Sequence, residues 1–371
     1  MKMTCHRDKL LAVFQTVATV APTRSPKPIL QKVKLEADLE RAVLMATDLE
    51  VAIRAVVTDV DVSAPGSVLL HAARCGAILR ESSDERILIE TDGTGIRIQG
   101  ERSRFHLLAE NPDEFPAVAT FDEQRYHRLP ARLLRELVRR TLFAADAEGG
   151  RYALGGALLE FASDRITAVG TDGRRLAKME GPAESVGGHE NQDSTTIVPA
   201  RSLQLIERTL GDGDAEVLLA ARTNDLLVQS PRAVIYTRLI EGRYPKWRDV
   251  IPRRSDGVRI QLTVGPVYAA VRQSAIVASD ESRGVDFTFG EGSLVLAGSS
   301  ADYGQSRVEL PIPYEGPAIT LTLDHRFMAD FFRVLDPEAT FTFEVKDSAS
   351  AALLTTEDGY EYVVMPLSRE R

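Results

Sequence analysis

The stretch EGRYPKWRDVIP, Glu241–Pro252, decides how the chain is divided. It holds a Tyr-Pro pair, a second proline and the only tryptophan of the 371 residues. Its apolar residues recur neither at every second position nor at helical spacing, so it reads as a connector. A residue before proline is held extended, so Tyr244-Pro245 fixes the path of that connector. Tryptophan favours buried sites with a polar partner for its N–H, which makes Trp247 a packing anchor at a junction. The further reading is that the junction is also a binding surface.

Working outward from it, one order of elements recurs. The first pass opens with a helix, Arg7–Val20, followed by strands Lys32–Ala37 and Ala42–Ala46 and the segment ATDLEVAIRAVV (46–57). A helix ARCGAILRES (73–82) and strands RILIET and GIRIQG, joined through Asp92-Gly93-Thr94, lead to RSRFHLLAE (102–110) and the loop NPDEFP (111–116). The second pass starts with the helix ARLLRELVRRTLF (131–143), carries TDGRRLAKME (171–180) and ends at EGRYP. The third starts with a helix at Pro266–Ala278, carries a helix DHRFMADFFRVL (324–335) and ends at YEYVVMP (360–366). Thr47-Asp48 and Thr171-Asp172 hold matching places, and Pro116, Pro245 and Pro366 close the three passes. Alternating strands bury one face, and each pass supplies two helices to cover it. The expectation is an α+β chain of three similar domains, near 1–125, 126–252 and 253–371, each with two helices packed on antiparallel sheets.

Composition fits a globular protein: 44% of residues are hydrophobic and 27% charged. Cys5 and Cys75 form neither a disulfide framework nor a metal spacing, which points to a reducing compartment. The N-terminus has the outline of a secretory signal, but Asp8 interrupts its basic part. Leu10, Leu11, Phe14, Val17 and Ala18 fall on one helical face, so an amphipathic helix and a cytoplasmic protein are expected.

The net charge of −9 argues against nucleic acid until the 45 basic residues are placed. They gather on helices. Arg132, Arg135 and Arg139 share a face of the helix 131–143, with Arg140 beside it; Arg74, Arg80, Arg201, Arg208, Arg272, Arg326 and Arg333 repeat the arrangement. Acids concentrate in turns and strands. Like helices of like domains, facing one way, make a basic surface suited to DNA backbone without sequence preference.

Catalytic signatures are missing: no GxxxxGK[ST], GxSxG, HExxH or CxxC occurs. No cofactor is implied. Asp48 and Asp172 recur with the repeat and read as turn residues. Two readings stay open on the residues alone. One is a non-enzymatic scaffold whose repeated domains encircle or cradle nucleic acid; the other is a metal-dependent phosphodiesterase or nuclease with its site at a domain junction.

KPIL (27–30), ATDLEVAI (46–53), RSRF (102–105), TDGRRLA (171–177), EGRYPKWRDVIP (241–252), RGV (283–285) and YVVMP (362–366) stand in an order and spacing that resemble the bacterial DNA polymerase III sliding clamp family, its beta subunit. The resemblance spans the chain. It implies a head-to-tail homodimer closed into a ring around duplex DNA, a non-catalytic processivity factor. It also implies a groove between the second and third domains that holds short hydrophobic peptides of the polymerase, the clamp loader and other partners. By position the groove is Leu154, Thr171, Gly173, Arg174, Arg175, Leu176, Pro245, Asp249, Val250, Phe327, Val363, Val364, Met365, Pro366 and Leu367. Ring closure falls to Phe105 and Leu107 of one copy against Ile276 and Val277 of the other. Arg24 matches a DNA-contacting position of the family, and Arg74, Arg132, Arg135, Arg139 and Arg201 are added by helix face. The chain departs from the family pattern at Arg174, often His, and at Asp249, often Arg. It departs also at Asp324, at Ala351 and in its tail LSRER (367–371).

Overall fold

A computed structural model describes residues 1–92, 95–146, 152–191, 195–211, 213–253, 257–279 and 283–367. The expected Gly93-Thr94 turn, Asp212 and the tail beyond Leu367 lie outside them. The helices are α1 (Arg7–Ala18), α2 (Ala72–Glu81), α3 (Ala131–Thr141), α4 (Ala200–Thr209), α5 (Trp247–Val250), α6 (Val264–Ser274) and α7 (His325–Arg333). Each long helix is amphipathic: α1 buries Leu10, Phe14 and Val17, and α7 buries Met328, Phe331 and Phe332. The helix expected at Pro266–Ala278 begins two residues earlier. Pro266 thus sits in the first turn, where a missing N–H costs nothing, and the end tightens into a 3-10 turn over Ala275–Val277. Part of the expected connector is itself helical, as α5.

The chain condenses into two compact units, Met1–Arg135 with Ala183–Leu239, and Glu136–Pro182 with Ile240–Arg371. In the first, a nine-stranded antiparallel sheet runs from Glu184–Val186 at one edge to Gly66–His71 at the other. At its middle, Ala233–Arg238 pairs with Val51–Val57, with Ile235 opposite Ile53. A strand of the second repeat is therefore hydrogen-bonded to a strand of the first. A five-stranded sheet ends on Arg104–Leu108, α1 packs on α2, and both cysteines are free and buried.

The second unit uses the same device. Gly156–Phe161, Arg165–Thr171, Arg175–Pro182, Glu361–Val364, Ala352–Thr355, Thr340–Val345 and Val258–Thr263 follow one another in one sheet. The seam is the antiparallel pairing of Arg175 with Val364 and Leu176 with Val363. A four-stranded sheet ends on Gly304–Pro311, and α6 packs on α7. Beneath the seam Phe331 meets Phe332, Phe341, Tyr360 and Tyr362 at centroid distances of 5.3, 5.7, 5.6 and 5.1 Å. Sheets continue from one repeat to the next, because a strand edge left open is a row of unpaired N–H and C=O groups, and pairing closes it.

Candidate functional site

The candidate groove grows from the hairpin Thr171–Arg175. Thr171 Oγ1 donates to the Arg175 carbonyl at 2.6 Å and accepts from the Gly173 N–H at 3.1 Å. Asp172 Oδ1 accepts from the N–H groups of Arg174 and Arg175, at 2.9 and 3.0 Å. Side-chain oxygens of Thr and Asp thus replace the backbone partners that a tight turn lacks. Gly173, at φ +87°, takes the left-handed conformation the turn requires. Thr47-Asp48 builds the same turn: Thr47 Oγ1 donates to the Val51 carbonyl at 2.9 Å, and Asp48 Oδ1 accepts from Glu50 and Val51 at 3.0 and 2.7 Å. Here Leu49 occupies the left-handed position, at φ +79°. Both aspartates therefore hold turns, as their recurrence suggests. Among the described residues no group of three or more His, Cys, Asp or Glu is placed to hold a metal ion.

Arg175 fixes this hairpin to its surroundings. Its guanidinium donates to Asp172 at 3.1 Å, to Asp330 of α7 at 2.7 Å and to the Phe143 carbonyl at 2.8 Å. It also lies over the rings of Phe327, 4.3 Å from the centroid, and Phe143, at 5.4 Å. A planar fork with fixed donors suits such a multi-way contact, and stacking shields it from water. The ladder continues past the strand ends: the Met365 N–H donates to the Arg174 carbonyl at 2.9 Å and the Leu367 N–H to the Thr322 carbonyl at 2.8 Å. The C-terminal segment is therefore held by backbone bonds on both sides while its side chains project outward.

The connector is anchored as firmly. Trp247 is buried and its Nε1–H donates to Glu160 at 3.1 Å; Arg248 grips the same carboxylate at 2.9 and 2.6 Å and lies 4.1 Å over the indole. Tyr244 donates its hydroxyl to the Val169 carbonyl at 2.9 Å, and burial pushes that hydroxyl's pKa up, so it stays a donor. Trp247 is thus a packing anchor. Of the predicted groove residues, Leu154, Thr171, Leu176, Val363 and Val364 are buried and form the frame. Met365 and Leu367 are exposed by 44% and 36% and form a short apolar rim; Val250, 44% exposed, lines another cavity with Asp249 and Ala351, and Pro245 and Arg174 are also exposed. Phe143 and Asp330 were missed in the sequence. Asp330 lies one helical turn from Arg326 and on the face of Phe327, but only the fold shows that Arg175 reaches it.

The chain is matched in three consecutive segments by family models for the DNA polymerase III beta subunit: its N-terminal domain over residues 1–119, its central domain over 128–246 and its C-terminal domain over 248–368. The chain belongs to the DNA polymerase III beta subunit family. Relatives agree along the whole length. A beta sliding clamp of Chlamydia pneumoniae is 27% identical over 369 residues, 99% of each chain, and one of Pseudomonas putida 28% over 375 residues, covering 99% of this chain and all of that one. The crystal structure of the DNA polymerase III subunit beta from Pseudomonas aeruginosa superposes with a TM-score of 0.88 at 27% identity over 99% of this chain and all of that one. A Pseudomonas aeruginosa clamp solved bound to griselimycin gives 0.90 at 27% identity, over 99% of each chain.

Within this beta-subunit fold the six arginines predicted for DNA separate into two kinds. Arg24 and Arg74 are exposed and have no ion-pair or hydrogen-bond partner among the described residues. The rest are engaged: Arg132 with Asp214 at 2.6 Å, Arg139 with Glu136 at 3.0 Å, and Arg201 with Asp48 at 2.9 Å and the Thr19 carbonyl at 3.0 Å. Arg135 donates to the carbonyls of Leu210 and Gly211 at 3.0 and 2.7 Å. That pair lies just beyond α4, so Arg135 caps the C-terminal end of that helix, a role its helical register did not disclose. The predicted closure residues lie on or beside sheet edges. Phe105 is 38% exposed, Leu107 is half-buried, and its neighbour Leu108 is 85% exposed. Ile276 is 78% exposed, whereas Val277 is half-buried.

Proposed function

We propose that this chain is a sliding clamp: a non-catalytic processivity factor that closes as a homodimeric ring on duplex DNA in the cytoplasm and tethers the replicative polymerase and the clamp loader. The observation that carries the peptide-docking part is the exposed apolar rim of Met365 and Leu367, held in place by backbone bonds to Arg174 and Thr322. A rim of this kind gains from covering by another chain's apolar side chains, with methionine adapting to their shape.

Two sheet edges support ring closure. Arg104–Leu108 and Gly304–Pro311 are terminal strands of their sheets, and exposed Phe105, Leu108 and Ile276 lie on the first edge and beside the second. Pairing the first edge of one copy with the second edge of another satisfies both, and two such contacts close the assembly. Enclosure also suits the arginines. Arg24 and Arg74 are ready for phosphate, while Arg132, Arg139 and Arg201 must exchange a carboxylate for it, so each contact is weak and sliding is unhindered.

The test is topological. Protein loaded on a nicked circular duplex should stay through gel filtration and leave when the circle is cut once. Retention on the linear form at moderate salt would refute enclosure, and metal-dependent cleavage of the circle would favour a phosphodiesterase.

A further inference from the structure

Within the first compact unit, α1 and α2 border a cavity of about 330 Å³ that lies apart from the candidate groove and from the sheet edges. Ala72, Gly76 and Arg80 line it from α2 and Phe14 and Ala18 from α1, in each helix at a spacing of four residues, which keeps them on one face. The cleft stays open because the α2 side is small. A Cβ on Gly76 would find Phe14 Cε1 at 3.6 Å, an ordinary contact, and no other close neighbour. Phe14 therefore forms an aromatic wall with space in front of it, and Ala21 and Pro22 add to the apolar lining.

The polar groups around this space are few. Gln15 and Gln31 offer amides and His71 an imidazole. Burial, and then the charges of Lys32 and Arg74, lower the His71 pKa, so that ring is neutral at pH 7. Arg80 is thus the charged group among the lining residues, and no carboxylate lines the cavity. Its guanidinium is exposed and has no hydrogen-bond or ion-pair partner among the described residues. Two more exposed arginines adjoin the lining in sequence: Arg24 follows Thr23, and Arg74 follows Ala73.

We propose that this cavity binds a small aromatic carboxylic acid, with its ring between Phe14 and the small-residue face of α2 and its carboxylate on Arg80. An apolar hollow with a few converging polar groups is the usual form of a small-molecule site. A ring gains both burial and an aromatic contact there, and a guanidinium pairs with a carboxylate through two parallel hydrogen bonds. Three arginines without a neighbouring acid favour an anion over a cation or a neutral ligand. A nucleic-acid phosphate could pair with Arg80 but would leave the apolar wall uncovered, and the volume suits one ring system better than a segment of chain.

The experiment titrates the full-length protein with 1-naphthoate and with its neutral twin 1-naphthamide, by calorimetry at low salt. Naphthoate should bind with a dissociation constant of about 1 mM or below, about tenfold tighter than the amide, and the difference should shrink with added salt. Arg80→Gln should bring the two probes to within about twofold and leave the thermal midpoint unchanged, since the side chain is exposed and unpartnered. Gly76→Leu should fill the space and abolish binding of both probes. Ala73→Phe, at an exposed lining position, makes the same test should Gly76→Leu fail to fold. Absence of naphthoate binding, or equal affinity for the two probes, overturns the proposal. So does naphthoate binding that is lost in Arg80→Gln but survives Ala73→Phe, because the contact would then be a surface anion site and not the cavity.

Discussion

At the scale of single residues, the same Thr-Asp turn is built twice, but only Thr171–Arg175 has glycine where the backbone is left-handed. Leu49, at φ +79° and with 45% of its surface exposed, bears the strain a Cβ meets in that region. Replacing it with glycine relieves about 1 kcal/mol of that strain and loses little packing. Leu49→Gly should therefore raise the urea midpoint, and Gly173→Leu should lower it. A second prediction concerns His127 and His189, whose Nδ1 atoms are 2.7 Å apart. His189 Nε2 lies 3.0 Å from the Ala221 N and 3.2 Å from the Ala221 carbonyl oxygen, so it accepts from the one or donates to the other according to its tautomer. Burial first, and then the charges of His127 and Arg125, lower the His189 pKa below its ordinary value. The unfolded chain thus takes up a proton near pH 6.5 that the folded chain refuses. Stability from this pair should be full above that pH and fall as the pH drops below it. The difference between urea midpoints at pH 7.5 and 5.5 should shrink in His189→Gln.

At the scale of elements, the short C-terminal strand Glu361–Val364 and the segment after it perform two tasks. The strand's buried side chains complete the sheet, while Met365 and Leu367, held by backbone bonds, offer apolar surface to a partner. Covering each of these partly exposed side chains is worth roughly 1 kcal/mol, so Met365→Ala with Leu367→Ala should weaken a docking peptide ten- to fiftyfold. Neither residue belongs to a strand at a sheet edge, so sedimentation of the double variant should match the parent. Unchanged peptide affinity by anisotropy would reject the role of this segment.

At the scale of the whole molecule, the proposed closure uses one terminal strand of the five-stranded sheet, Arg104–Leu108, and one of the four-stranded sheet, Gly304–Pro311. Ile276 is the sharper probe of that contact. It is 78% exposed in the single chain, whereas a Cβ on Gly298 would lie 3.4 Å from Val277, which already packs on its own sheet. Ile276→Asp alone should leave the thermal midpoint of the monomer unchanged and raise the dimer dissociation constant by about a hundredfold, because a carboxylate is buried without a partner. Sedimentation equilibrium that still gives the parent dimer would argue against closure through this edge. Binding to the nicked circle should be lost with the dimer.

The sequence alone determined what repeats locally. The paired Thr-Asp turns, the amphipathic helices and the proline-closed passes are patterns of neighbouring residues, and local patterns suffice to place an α+β fold repeated three times and a tryptophan-anchored junction, whereas the candidate groove was named only through the family resemblance. Only the tertiary structure decided which strands join across repeats, that Arg175 reaches Phe143 and Asp330, and which arginines are already held by carboxylates and carbonyls. Those outcomes depend on groups far apart in the chain that compete for the same hydrogen bonds. A sequence records the donors and acceptors; their pairing is settled when the backbone brings them within about 3 Å.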